Sequence, residues 1–91
     1  MTSWRIVTTA EFDRSVRKLD KPVAQRIIDY LEDLLTLEDP RQRGRGLTGN
    51  LVGFWRYRIG DYRVLAEIHD NKLVIIAIDV AHRYRSTAYE Q

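Results

Sequence analysis

The sequence predicts an α+β fold: two antiparallel N-terminal helices packed on one face of a mostly antiparallel four-stranded sheet, in the order β-α-α-β-β-β. Three observations carry this. Between about residues 9 and 37 the apolar residues recur at helical spacing. Two later runs, Phe54–Ile59 and Tyr62–His69, alternate apolar with polar residues across a two-residue Gly60-Asp61 connection, the pattern of a hairpin. The last run, Leu73–Val80, is almost uninterrupted Leu, Val and Ile, as in a strand covered on both faces and therefore central in its sheet.

Trp4–Val7 reads as a short opening strand. Thr8-Thr9-Ala10-Glu11 has the spacing of a capping box, and Phe12, Val16 and Leu19 follow at helical intervals, so a first helix is expected from about Thr9 to Lys18. Asp20 suits an N-cap, with Pro22 in the next first turn, where a missing N–H costs little. Val23, Ile27, Ile28, Leu31, Leu34 and Leu35 then form one apolar stripe, which carries a second helix to about Leu35 or Leu37 before Asp39-Pro40 ends it. Arg41–Asn50 is polar, basic and glycine-rich and is expected to be a loop; lacking a Gly-Lys-Ser/Thr sequence and a preceding strand, it is no P-loop.

Ninety-one residues make one small domain, 1–91, close to the size at which a single core suffices. The chain has no cysteine, which removes disulfides and thiolate metal sites and suits a reducing cytoplasm. No apolar run is long enough to span a bilayer, and no signal-peptide pattern opens the chain, so no membrane role is expected.

The net charge of +2 hides an asymmetry. Residues 1–40 hold six Lys/Arg and eight Asp/Glu, whereas residues 41–91 hold nine Lys/Arg, eight of them arginine, and five acids. Arginine presents a planar fork that matches phosphate and stacks on bases, so this half points to a nucleic-acid partner, although a solvated basic face is the commoner reason for such charge.

Strand alternation sharpens the point. Trp55, Tyr57 and Ile59 fall on one face of their strand, Arg56 and Arg58 on the other. A hairpin closed by Gly60-Asp61 pairs Ile59 with Tyr62 and sets Arg58 opposite Arg63. Like charges facing across a ladder destabilise it, and a polyanion would relieve the repulsion. By strict alternation Val74, Ile76 and Ile78 join the arginine side as an apolar patch, suited to a covering protein segment.

The element order, the segment Arg56–Leu65 (Arg-Tyr-Arg-Ile-Gly-Asp-Tyr-Arg-Val-Leu) and the ending His82-Arg83-Tyr84-Arg85-Ser86-Thr87-Ala88-Tyr89 together resemble the RelE/ParE family of toxins from bacterial type II toxin–antitoxin modules. The resemblance covers essentially the whole chain. It implies a microbial-RNase fold, a cognate antitoxin as partner, operator DNA bound only through the antitoxin complex, and a bacterial cytoplasmic setting. On the RelE branch it implies metal-independent, cofactor-free cleavage of mRNA in the ribosomal A site by attack of the RNA's own 2′-OH. The ParE branch shares the fold and poisons DNA gyrase instead, and an inactive remnant acting as a co-repressor is a third reading.

RelE-type enzymes carry basic residues at positions matching Arg56, Arg58, Arg63 and Arg83, and a tyrosine matching Tyr89. This chain departs from many members by having arginine where lysine often stands at 56 and 58. A guanidinium with a pKa above about 12 is no general base near neutrality. Tyr89 is therefore the candidate base. Arg58 and Arg63 are candidates to stabilise the phosphorane, Arg56 to grip phosphate or assist the attacking oxygen, and Arg83 to serve the leaving 5′ oxygen. His82, Arg85, Arg45 and Arg43 are candidate contacts to mRNA or ribosomal RNA. Trp4, Trp55 and Tyr57 are assigned to the core, and His69, which abuts a turn, to no role.

Overall fold

The computed structural model describes residues 3–82. Its elements in chain order are β1 (Arg5–Thr8), α1 (Ala10–Arg17), α2 (Lys21–Leu34), β2 (Arg45–Gly46), β3 (Trp55–Ile59), β4 (Tyr62–His69) and β5 (Val74–His82). Short 3-10 turns cover Pro40–Gln42 and Gly49–Leu51. The strands form one sheet in the order β1-β5-β4-β3-β2, with β1 parallel to β5 and every other pair antiparallel. The α+β architecture is thus as expected, with a fifth, two-residue strand inside the segment read as a loop.

Local chemistry explains the boundaries. Thr9 caps α1: its hydroxyl accepts from the Phe12 N–H at 3.1 Å and donates to the Ile78 carbonyl, which ties the helix start to β5. Asp20 occupies the N-cap of α2 without a side-chain cap bond, and Pro22 sits in the first turn. Asp39 accepts from the Arg41 N–H at 2.9 Å and so starts the first 3-10 turn.

One core lies between the helices and the sheet. Phe12, Ile27, Leu31 and Leu34 pack on Tyr57, Ile59, Val64, Ala66, Ile75, Ala77 and Val80, with Trp4 closing one end. Burying each large aliphatic side chain is worth roughly 1.5–3 kcal/mol, so this layer is what holds the helices on the sheet. Tyr57 and Trp4 are core as expected; Trp55 is half-buried at its margin.

Strict alternation fails in β5. Ala66 pairs with Ala77 but Leu65 pairs with Asp79, so an extra residue is accommodated at that point. Ala77 and Val80, three apart, consequently both face the helices. Asp79 accepts from the Ser15 hydroxyl of α1 at 2.8 Å and from the Val80 N–H at 2.8 Å. The expected apolar patch is only partly open: Val74 is buried and Ile76 and Ile78 are half-buried.

Candidate functional site: an arginine face

The hairpin register is the one the sequence implies. Ile59 pairs with Tyr62, Arg58 with Arg63, Tyr57 with Val64 and Arg56 with Leu65. The fifth strand adds a second like-charge pair, because Arg45 lies opposite Arg56. Residues directly opposite share a face, and so do residues two apart on a strand. Arg45, Arg56, Arg58 and Arg63 therefore form a four-arginine array on the sheet face turned away from the helices. Neighbouring members have Cβ atoms about 5 Å apart across the ladder and Cα atoms about 6.6 Å apart along it.

The four are not equivalent. Arg45 and Arg58 are exposed, whereas Arg56 is only 9% and Arg63 only 7% accessible. Arg63 stands on β4 between Arg58 and the small Ala81 of β5, deep in the sheet, while Arg58 lies beyond the last residue that β2 covers. Arg58 and Arg63, paired across the ladder, are thus an open guanidinium beside a buried one. A buried guanidinium interacts in a lower effective dielectric and is held more rigidly than an open one. Arg45 and Arg58 form no ion pair among the described residues. Glu67, on the same face as Arg63 and Leu65, is engaged by His69, which places His69 in a local pair away from the array.

The loop that supplies Arg45 is fastened. Tyr57 Oη donates to the Pro40 carbonyl at 2.7 Å, and Trp55 Nε1 donates to the Arg43 carbonyl at 2.7 Å. Arg41 makes a two-pronged contact with Asp70 at 2.9 and 2.8 Å. Gly44 adopts φ +79°, and a Cβ there would stand 2.5 Å from the Arg56 carbonyl oxygen, so only glycine lets the strap lie this close to β3. The expected loop is therefore a fastened strap. Electrostatics agree: the Asp70 hydrogen bond raises the Arg41 pKa, and Arg41 in turn holds the Asp70 carboxyl below its ordinary value.

Two predicted contacts sit elsewhere. Arg43 lies over the Tyr30 ring, 5.6 Å from its centroid, on the helix side of the sheet. Burial pushes the Tyr30 phenol above its ordinary pKa and Arg43 partly offsets this. His82 pairs with Tyr62 in the ladder and meets its ring edge-on, centroids 5.1 Å apart, so it shares the helix side rather than the arginine face. Arg83, Arg85 and Tyr89 lie outside the described residues. β5 ends at His82, one ladder position from Arg63.

Arg26 carried no signal in the sequence, standing on the polar side of a helix read for its apolar stripe. In the structure its guanidinium lies on the hairpin turn: a Cβ built on Gly60 would be 3.0 Å from Nη1. Among the described residues no cluster of His, Asp and Glu is suited to hold a metal ion, and no helix is long and apolar enough to cross a membrane.

Comparison with known proteins places the chain and its fold among relatives. The family model described as "ParE toxin of type II toxin-antitoxin system, parDE" matches residues 6–87. A curated protein, Toxin RelE of Mycobacterium tuberculosis, is 29% identical over 83 residues, covering 91% of this chain and 84% of the relative. Among solved structures, a RelBE toxin–antitoxin complex of Mycobacterium tuberculosis is similar at TM-score 0.81 and 25% identity, with 90% of this chain and 100% of the other covered. The archaeal RelE–RelB complex of Pyrococcus horikoshii matches at TM-score 0.72 and 24% identity, covering 93% and 100%, and shows the shared fold. So does the isolated Escherichia coli RelE toxin, at TM-score 0.71 and 20% identity, covering 97% and 92%.

Proposed function

The chain belongs to the ParE toxin family of type II toxin–antitoxin systems, and from that premise we propose that it is a ribosome-dependent, metal-independent mRNA endoribonuclease of the RelE kind. The observation that carries the reading is the array of Arg45, Arg56, Arg58 and Arg63 across three neighbouring strands, with two like-charged pairs directly opposite each other. An RNA backbone would turn that repulsion into binding energy, since each guanidinium can donate to phosphate oxygens in a fixed fork.

In the proposed step Tyr89, as its phenolate, takes the 2′-hydroxyl proton while the 2′-oxygen attacks the adjacent phosphorus; the bond to the 5′ oxygen breaks with Arg83 neutralising the leaving alkoxide, which takes its proton from water. A 2′,3′-cyclic phosphate and a 5′-hydroxyl result. Arg63, buried and rigid, and Arg58, open and adaptable, would stabilise the charge that builds on the equatorial oxygens. Arg56 and Arg45 would hold flanking phosphates, with Arg85 as an outer contact. With no carboxylate–histidine pair in the scheme, the rate depends on how the ribosome positions the message.

The partner proposed is a cognate antitoxin, as in the solved complexes it resembles, that holds the toxin inactive in the bacterial cytoplasm and carries it to operator DNA. The name of the matching family model favours one rival, a toxin that binds DNA gyrase and cuts no RNA. Primer extension on translated messages in expressing cells separates them. Codon-phased cuts that vanish in an Arg63→Ala/Arg83→Ala variant are expected. Double-strand DNA breaks without such cuts would establish the rival, and neither effect from a soluble, antitoxin-binding chain would leave only the co-repressor.

A further inference from the structure

A groove of about 540 Å³ runs beside the hairpin turn, between α2 and the part of β3 that β2 leaves uncovered. Arg26 and Arg58 line it together with Gly60 at one end; Asp29, Tyr30 and Asp33 line it further along α2. Arg58 is thus shared between this groove and the arginine face. Arg26 and Arg58 form no ion pair among the described residues, even though Asp29 and Asp33 stand one and two turns away from Arg26 on the same helix. One Asp29 oxygen instead accepts from Gln25 at 2.8 Å. A guanidinium kept over a glycine turn, beside another open guanidinium and apart from nearby carboxylates, is placed for an anion from outside the chain.

We propose that Arg26 and Arg58 bind a further phosphate of the RNA strand, so that the strand leaves the arginine face, turns round Gly60 and lays its next nucleotide along α2. The groove is polarised to suit this. Its cationic end meets the phosphate, and its acidic end offers acceptors to the amino groups of a base. Its volume falls within the range that holds a small organic ligand such as one nucleotide. The inference rests on the RNA-directed reading above and adds Arg26, which that reading does not use.

The test is equilibrium binding of the intact toxin to ribosomes programmed with a message whose A-site 2′-hydroxyls are removed, which separates binding from cleavage. Arg26→Ala should weaken binding about tenfold and make the dependence of log K on log salt shallower by about 0.7, the single-strand value for one lost phosphate contact. Arg26→Lys should recover most of the affinity, Arg26→Glu should lose more, and Arg14→Ala on α1 should match the wild type. Unchanged affinity and slope in Arg26→Ala would overturn the proposal. So would a variant that keeps ribosome binding and loses antitoxin binding, which would make the groove a protein site. Arg26-dependent binding by a wild type that fails to cut the natural message would sink the nuclease reading and leave this site standing; a wild type that binds no programmed ribosome sinks both.

Discussion

Arg58 and Arg63 face each other at the same ladder position, one open to solvent and one nearly closed off. Facing like charges cost a sheet roughly 0.2–1 kcal/mol relative to a neutral pair. Arg58→Ala should therefore stabilise the isolated toxin by an amount in that range while reducing message cleavage. Urea unfolding at low salt measures the first, and the gain should shrink as salt screens the pair. A destabilised Arg58→Ala would mean that the side chain has a structural role in packing the hairpin turn. The register of this pair was legible in advance because a two-residue turn leaves no freedom of alignment. Its unequal burial was not, since accessibility depends on which neighbouring strands end where, and no single-strand pattern encodes that.

At the scale of elements, the strap from Pro40 to Gly46 shows how a segment with no periodicity becomes ordered. Its fastenings are a phenol, an indole and a carboxylate supplied by other elements, so composition alone reads it as a loop. Tyr57 is the innermost of these, fully buried, edge-on to Tyr30 at 5.9 Å and donating to the Pro40 carbonyl. Tyr57→Phe leaves that carbonyl without its donor and should cost about 1–2 kcal/mol in urea unfolding. The pH dependence follows from the same burial, which pushes the phenol well above its ordinary value of 10.0. The unfolded chain then loses this proton at a lower pH than the folded one. The contribution is whole below about pH 10 and declines as pH rises further, so the wild type should lose stability in alkali more steeply than Tyr57→Phe. Equal slopes would show that the phenol ionises as freely in the fold as in the unfolded chain.

For the whole molecule, the helices-on-sheet layering and the order of the long elements could be read from periodicity, because one buried face per element leaves a 3.6 or a 2.0 repeat. The last strand, almost wholly apolar, lies inside the sheet between β1 and β4, although the middle position of the five belongs to β4. Such a strand cannot announce a change of phase, however. Ile75 to Val80 reads apolar at every position but one, and nothing in that run marks where a residue is gained.

That gained residue is also where α1 is moored, since the Ile78 carbonyl accepts from the Thr9 hydroxyl. Removing Ile78 would take out the extra residue and leave Leu65 opposite Asp79, Val64 opposite Val80 and Arg63 opposite Ala81. Ala77, Asp79 and Val80 would then alternate regularly, with Val80 keeping its buried seat and the Ala81 methyl its place beside Arg63. Such a shortened chain should keep its helical circular dichroism yet melt at a lower temperature, because the Thr9 hydroxyl at the start of α1 loses the Ile78 carbonyl that anchors it to the sheet.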